Sequence, residues 1–362
     1  MKDQALVKRI GTLSDANGVS GFEEEVVDRV LEGIQDLSVS VDSFNNTILR
    51  RKGDKKPYTV LIEGHSDEVG FMVSSIQDNG TLSFLPVGGW DSESIVSAIL
   101  RVRNRDGVYI KGVVGSVPPH YRKNKEGGKT PVSELFIDVG ASSRKECMED
   151  FKISIGAPVV PDTTFTYDQA HDLLCGKAFD NRLGVAAVLE VMEALKEKDL
   201  QVNVVGAICC QEEVGSRGAS AIAHRVKADL AIIFEGAPAD DTIPGLAYPQ
   251  TALGQGPMLR HIDARMITHP RFQRYALDLA HQAGIPCQEA VRAGGGTDGA
   301  PIHISNETVP SIVVGVPVRY AHTCLGLSKL SDFKNACLLA CQLIEGLDDK
   351  RVREICFGKR SY

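Results

Sequence analysis

The sequence predicts an α/β fold with a mixed sheet, interrupted by a small inserted β-barrel or sandwich. Apolar strands alternate with amphipathic helices towards both ends of the chain, which is the pattern of a sheet covered by helices. Between them, from residue 71 to residue 160, short strand-like pieces are broken by glycine and proline. At 362 residues the chain is long enough for one large domain with such an insertion, or for two domains. We expect residues 1–70 and 161–362 to form the large domain and residues 71–160 the inserted one.

The first α/β segment is expected to hold two helices, two short strands and one strongly apolar strand. Ser20 followed by Glu23 is the pattern of a capping box at the start of the second helix. The expected helices are Leu6 to Leu13 and Phe22 to Leu37, and the expected strands are Val39 to Val41, Thr47 to Leu49 and Tyr58 to Ile62.

The inserted segment shows little helical periodicity. A polar stretch after His120 is expected to be a surface loop. The expected strands are Thr81 to Val87, Ser97 to Arg103, Gly107 to Val114 and Glu134 to Val139.

The α/β pattern resumes near Lys177 and continues to the end of the chain. Its apolar run Val202 to Cys210 reads as a buried strand that ends just before two adjacent glutamates. The other expected elements are a helix from about Leu183, a helix from Ala219 to Val226, strand Leu230 to Phe234, helix Phe272 to Gln282, strand Pro286 to Ala290, strand Ser311 to Val316 and a final helix around Leu338 to Leu343.

Composition limits the partners and the compartment. The formal charge of -7 argues against nucleic acid or an anionic membrane as the main partner, since both need a basic surface. The nine cysteines are scattered and odd in number, which does not describe a disulfide framework and indicates a reducing compartment. The first residues lack the apolar core of a signal peptide, and no apolar run reaches membrane-spanning length. We expect a cytoplasmic protein.

Histidines and carboxylates recur where predicted strands end or a helix begins. Nitrogen and oxygen ligands without a thiolate suit a pair of zinc, cobalt or manganese ions better than a structural zinc site. Asp180 has two oxygens with which it could bridge two ions, although in isolation it would be a helix N-cap. The candidates are His65, Asp180, Glu212, Glu213, Glu235 and His322.

The spacing within two of these groups favours distinct roles. Glu212 and Glu213 leave a strand in different directions, so one can bind a metal while the other holds an attacking water; the pair is also common on solvated faces. Asp67, two residues after His65, could orient that histidine as a metal ligand. His120 remains open as a further candidate, and the other six histidines are expected to be ordinary core or surface residues.

Five motifs together resemble the tetrahedral (TET) aminopeptidases, a family of glutamyl and deblocking aminopeptidases. The resemblance covers essentially the whole chain, and the motifs follow the order of the family. They are Gly64 to Gly70, Phe179 to Gly184, Gln211 to Ala219, Gly295 to Asp298 and Arg319 to Thr323.

This resemblance implies a metallopeptidase domain of the phosphorylase/hydrolase type with an inserted β domain that mediates dimer contacts. One metal ion would be held by His65, Asp180 and Glu235, and the other by Asp180, Glu213 and His322. Glu212 would be the general base and Asp67 the partner of His65. Many relatives carry aspartate at the position of Glu235, where the longer side chain can still bind a metal. The implied assembly is a homo-oligomer, either a dimer or a dodecamer built from dimers.

The expected activity is removal of N-terminal residues from short peptides, by a water that two divalent ions share and Glu212 deprotonates. A deacylase or carboxypeptidase with the same metals stays open as an alternative. A glycosidase would not need the histidines. A scaffold that keeps the metals only for stability is the remaining possibility.

Overall fold

The computed structural model describes residues 2–34, 36–116 and 130–358. His120 therefore lies outside the described residues. The helices are α1 (Lys2–Asp15), α2 (Glu24–Glu32), α3 (Arg144–Glu149), α4 (Phe179–Leu195), α5 (Arg217–Arg225), α6 (Pro270–Ala283), α7 (Gly299–His303), α8 (Leu330–Glu345) and α9 (Asp349–Phe357). The strands are β1 (Leu37–Val41), β2 (Thr47–Arg51), β3 (Thr59–His65), β4 (Gly70–Ile76), β5 (Leu82–Val87), β6 (Ile99–Arg103), β7 (Tyr109–Gly115), β8 (Phe136–Asp138), β9 (Pro158–Pro161), β10 (Thr166–Asp168), β11 (Leu173–Gly176), β12 (Asn203–Cys209), β13 (Leu230–Pro238), β14 (Met258–Ile262), β15 (Gln288–Val291), β16 (Ser311–Val318) and β17 (Gly326–Lys329).

A mixed sheet forms the centre of the molecule, with strand order β1-β2-β12-β3-β13-β16-β14-β15. Its middle strands β12, β3, β13 and β16 run parallel, and the strands next to them, β2 and β14, run antiparallel to their neighbours in this group. The middle strands are almost entirely buried, because α1, α4, α6 and α8 cover one face and α5 and α7 the other. The predicted α/β fold with a mixed sheet is confirmed.

The segment from Gly70 to Pro161 closes into a barrel with strand order β4-β5-β8-β7-β6-β9. Its interior is a separate apolar cluster that includes Phe71, Val102 and Ile137. Closing the barrel pairs both sheet edges, which removes the exposed backbone that open edges would present. The inserted small β-barrel of the predicted fold class is confirmed as well.

Several predicted elements differ from the observed ones. The second helix ends at Glu32 rather than Leu37, because Leu37 pairs with Arg51 in the β1–β2 hairpin. The predicted capping box is wrong, since no side chain caps α2 and the Ser20 hydroxyl donates to Asp67 instead. Strand β14, helix α9 and the small sheet of β10, β11 and β17 are not among the elements predicted from the sequence.

Strand β13 also runs further than predicted. It pairs with β3 only as far as Ile233, opposite Glu63, but stays paired with β16 up to Pro238. Glu235 therefore lies inside a strand rather than beyond its end. The extra residues of β13 are supported by β16, which stays in register with β13 after the pairing with β3 has ended.

Candidate metal centre

The predicted site residues meet at the carboxyl edge of the parallel strands. His65 is the last residue of β3, and it pairs in register with Cys209, the last residue of β12. Glu212 and Glu213 follow β12 after a sharp turn in which Gln211 has a positive φ of 55°. Crevices at this edge of an open α/β sheet are the usual position of a functional site.

Asp180 stands between two histidines that come from opposite ends of the chain. Its Oδ1 lies 3.2 Å from Nε2 of His65, and its Oδ2 lies 3.4 Å from Nε2 of His322. On the outer side, Glu213 Oε1 lies 3.3 Å from Nε2 of His322. On the inner side, Glu235 Oε1 lies 3.9 Å from Nε2 of His65. Nε2 of each histidine thus faces Asp180 and at least one glutamate.

The N-cap interpretation of Asp180 is wrong. The N-cap of α4 is Ala178, and Asp180 has non-helical dihedral angles of φ -83° and ψ 103° within the first turn. The next residue, Asn181, donates from its side chain to the carbonyl of Phe234, which fastens the helix start to β13. Gly236 allows this approach, because a Cβ there would lie 2.5 Å from the carbonyl oxygen of Phe179. The local backbone directs the Asp180 carboxylate into the site.

Asp67 connects a histidine to the glutamate pair. Its Oδ1 lies 3.2 Å from Nδ1 of His65, and the same carboxylate accepts backbone N–H groups of Glu212 at 2.9 Å and Glu213 at 3.1 Å. The Ser20 hydroxyl donates to Asp67 at 2.6 Å. Burial opposes ionisation, but these hydrogen bonds and the charge of His65 lower the pKa of Asp67. Asp67 therefore stays a carboxylate that orients the histidine and the backbone of both glutamates.

His322 is oriented by a residue that sequence reasoning missed. Its Nδ1 lies 3.0 Å from the carbonyl oxygen of Gly89, just after barrel strand β5. With Nδ1–H donating there, Nε2 is left facing Asp180 and Glu213. Gly89 carries no side chain that could signal this contact in the sequence.

The protonation of the site reflects crowded acidic groups. Burial raises the pKa of Glu235 to about 8 and raises the pKa of Glu212 and Glu213 above their ordinary range, and neighbouring carboxylates add to each shift. Burial alone would lower the pKa of His322, but the carboxylates beside it raise it to about 11. A cation replaces these protons when it binds, because ligating imidazole must be neutral and ligating carboxylate ionised.

The donor set fits a divalent metal. One atom each of His65, Asp180 and Glu213 can be chosen so that the three lie within 4.8 Å of one another. Among the described residues, Oε2 of Glu235 is buried without a hydrogen-bond partner, as expected for an atom that a metal ion would satisfy. Nitrogen and oxygen donors suit zinc, cobalt and manganese.

The glycine-rich segment before α7 brings a further acidic group behind the site. Asp298 is 1% exposed, and atoms of Asp298, Glu63 and Cys209 lie within 4.8 Å of one another. Burial raises the pKa of Glu63 to about 8. In the same segment, the backbone N–H of Gly299 donates to the Thr297 hydroxyl.

This sheet, with histidines and carboxylates gathered at its carboxyl edge, defines a metal-dependent hydrolase. Residues 45–339 match the M42 glutamyl aminopeptidase family, and the chain belongs to that family. It is a metal-dependent aminopeptidase, a hydrolase that acts on peptide bonds. This confirms the resemblance and the activity expected from the sequence.

Three similar proteins support this assignment. The chain is 31% identical over 358 residues to glutamyl aminopeptidase of Lactococcus lactis, covering 97% of this chain and 99% of the relative. A TET aminopeptidase from a marine-sediment thaumarchaeon superposes with a TM-score of 0.92 at 36% identity, covering 97% of this chain and 99% of the other. The Pyrococcus horikoshii TET1 peptidase, which can assemble into a tetrahedron or a large octahedral shell, superposes with a TM-score of 0.84 at 26% identity, covering 94% and 100%.

No helix in the described parts of the chain is both long enough and apolar enough to cross a membrane.

Proposed function

We propose that the site holds two divalent ions that share Asp180. One ion is bound by His65, Asp180 and Glu235, and the other by Asp180, Glu213 and His322. The observation that supports this most strongly is the position of Asp180, whose two oxygens face two different histidine nitrogens at 3.2 and 3.4 Å. When bound, the ions polarise the substrate carbonyl and lower the pKa of water. The donors are compatible with zinc, cobalt and manganese, so availability decides among them.

Glu212 is the general base in this proposal. Its Oε2 lies 3.9 Å from Nε2 of His65, and its side chain is 14% exposed, so both water and substrate can reach it. Asp67 holds the backbone of Glu212 by accepting its N–H, and the Ser216 hydroxyl donates to Oε1 of Glu212 at 3.4 Å. Burial raises the pKa of Glu212, which favours acceptance of a proton from the attacking water. Glu212 then passes this proton to the leaving amine as the peptide bond breaks.

The proposed substrates are short peptides with a free N-terminus.

The proposed assembly is a homo-oligomer, either a dimer or a dodecamer built from dimers. The tetrahedral or octahedral shells of the P. horikoshii relative support assembly. We assign the contacts to an inserted domain of residues 71–160, apart from a catalytic domain of residues 1–70 and 161–362. Apolar side chains on the outside of its barrel support this role: Leu85 is 62% exposed, Ile99 55% and Val113 43%. Ile99 and Val113 are cross-strand neighbours, so two of these side chains belong to one surface.

We also propose a cytoplasmic location. All nine cysteines are free in the structure, and several are buried in the core, as expected in a reducing compartment.

Substitution of Glu212 by glutamine tests the assigned mechanism. The variant is expected to bind the same number of metal ions per chain but to lose on the order of 10² or more in kcat, as for removal of a general base. Metal content by mass spectrometry and steady-state hydrolysis of an aminoacyl anilide measure the two effects. The matched variant Glu213→Gln, one residue along, should lose metal. Near-normal turnover of Glu212→Gln would contradict the role of Glu212.

A further inference from the structure

Beneath the metal centre lies a buried carboxylate that holds two cations. Glu68 is 1% exposed, and Lys177 and Arg182 are fully buried. The ammonium of Lys177 lies 2.6 Å from Oε1 and 2.9 Å from Oε2 of Glu68, and the guanidinium of Arg182 lies 3.1 Å from Oε1. The backbone N–H of Gly18 also donates to Oε1 at 3.0 Å. Glu68 thus receives donors from three residues in two separate parts of the chain, Gly18 and the segment around the start of α4.

The positions of these residues in the sequence connect two groups of proposed ligands. Glu68 directly follows Asp67 and lies three residues after His65. Lys177 and Arg182 flank Asp180 on either side, three residues before it and two residues after it. The ion pairs therefore join the end of β3 to the start of α4, the two segments whose side chains meet at 3.2 Å in the site.

Arg182 extends this connection through the backbone. Its guanidinium donates to the carbonyl of Ser66 at 2.7 Å, between His65 and Asp67. It also donates to the carbonyl oxygens of Leu13 and Ala16, at the end of α1. Arg182 lies two residues after Asp180 in the chain and donates to Ser66, next to His65. Its side chain therefore restricts the distance between the two segments that carry the proposed ligands.

We propose that Glu68 is a positioning residue for the metal centre: with Lys177 and Arg182 it sets the spacing between His65 and Asp180. The proposal rests on the proposed metal ligands. Buried ion pairs contribute little net stability, because desolvation offsets most of the attraction, so stability alone does not explain their presence beside a site. A metal ion, by contrast, is sensitive to ligand position, and changes to the partners of ligands typically reduce metal affinity about 10- to 100-fold.

The test compares metal binding by three variants with that of the wild-type enzyme. Glu68→Gln keeps the shape of the side chain but leaves two buried cations without their carboxylate. The double variant Glu68→Gln/Lys177→Met removes one of those cations as well, so that the cluster keeps the net charge of the wild type and the protein is more certain to fold. The control is Asp162→Asn, which removes a carboxylate that also pairs with two cations, Arg101 and Lys111, at the barrel.

We expect both Glu68 variants to bind Zn²⁺ about 10- to 100-fold more weakly in chelator competition. The visible spectrum of the Co²⁺-loaded protein should also change, because it reports ligand geometry and does not respond to a mere loss of stability. Asp162→Asn should keep the wild-type affinity and spectrum even if its melting temperature falls.

The outcomes separate this inference from the function on which it rests. If wild-type protein binds no pair of ions, the proposed metal centre fails. If the wild type binds two ions and either folded Glu68 variant binds them with unchanged affinity and spectrum, the positioning role is overturned. The same holds if Asp162→Asn weakens binding as much as the Glu68 variants do.

Discussion

Glu23 shows how a single buried carboxyl group contributes to the pH dependence of stability. Its Oε1 accepts backbone N–H groups of Gly21 and Gln211, while Oε2 is buried without a hydrogen-bond partner among the described residues. Burial raises the pKa of Glu23 to about 7, and the charge of Asp67 adds to the shift. Because the folded pKa lies above the ordinary value, the folded protein holds this proton more tightly than the unfolded chain does. The contribution of Glu23 to the free energy of unfolding is therefore fully present below about pH 4.5, and it is lost as the pH rises through 7.

Substitution of Glu23 by glutamine should remove this pH dependence. The amide oxygen can keep both hydrogen bonds, while no charge needs to be buried at high pH. At pH 8 the free energy of unfolding should exceed that of the wild type by about 2–3 kcal/mol, and the difference should vanish near pH 4. Urea unfolding at both pH values measures it. The control is Glu24→Gln, an exposed residue next to Glu23, which should change stability by less than about 0.5 kcal/mol. An equal gain in stability at both pH values in Glu23→Gln would refute the account.

At the residue scale, the sequence predicted site residues best where several groups able to bind a metal ion recur in the chain. His65, Asp180 and His322 could be selected because histidines and carboxylates recur together where predicted strands end or a helix begins, and the structure brings them together. Ser20 could not be assigned, since its partner Asp67 is 47 residues away while a local capping pattern was equally consistent with the sequence. A polar side chain carries no mark in the sequence that distinguishes a local partner from a distant one.

At the scale of elements, the contact between α4 and β13 determines whether Asp180 reaches the site. A Cβ at Gly236 would lie 2.5 Å from the carbonyl oxygen of Phe179 and 2.6 Å from Cα of Asp180. Both are backbone atoms, so the start of the helix itself would have to move. The glycine was visible in the sequence, but its purpose depends on a crossing of two elements more than 50 residues apart in the chain, which no local pattern reports.

Substitution of Gly236 by alanine should therefore weaken metal binding and destabilise the fold. We expect a loss of about 1–3 kcal/mol in the free energy of unfolding of the metal-free protein, as for overpacked cores. Chemical denaturation and chelator competition measure the two effects. Gly33→Ala is the matched control, because a Cβ there meets nothing closer than 3.6 Å. Wild-type metal affinity in Gly236→Ala would show that the start of α4 does not need this close approach.

The strand pattern explains which elements were predictable. Long apolar runs such as Val202 to Cys210 became strands because a central strand is buried on both faces and needs an unbroken apolar sequence. The short strands β10, β11 and β17 are only partly buried and are held by their neighbours in a small separate sheet, so their sequences show no clear alternation. Likewise, β13 exceeds its predicted end because pairing with β16, a tertiary contact, continues past Phe234.

On the scale of the whole molecule, the barrel and the sheet meet at the site. The carbonyl of Gly89, just beyond barrel strand β5, orients His322 from the large domain. A Cβ at Gly88 would lie 3.3 Å from the side chain of Glu213, so the backbone there also runs close to the site. The insertion therefore contributes directly to the geometry around the proposed ion that Asp180, Glu213 and His322 would bind. Composition and strand pattern could predict that a barrel is present, but not how it is placed against the sheet, because that depends on contacts between backbone atoms.

The central claim is that an intact pair of ions, shared by Asp180, makes this chain an aminopeptidase. It is tested most directly by titrating metal-stripped protein with zinc, cobalt or manganese while measuring ions bound per chain and hydrolysis of free and N-acetylated aminoacyl anilides. We predict no turnover without metal, a maximum at about two ions per chain, and cleavage of the free-amine substrates alone, because two ions are needed to hold and polarise the reacting groups. Full turnover of the stripped protein or at one ion per chain, or equal cleavage of the acetylated substrates, would contradict it.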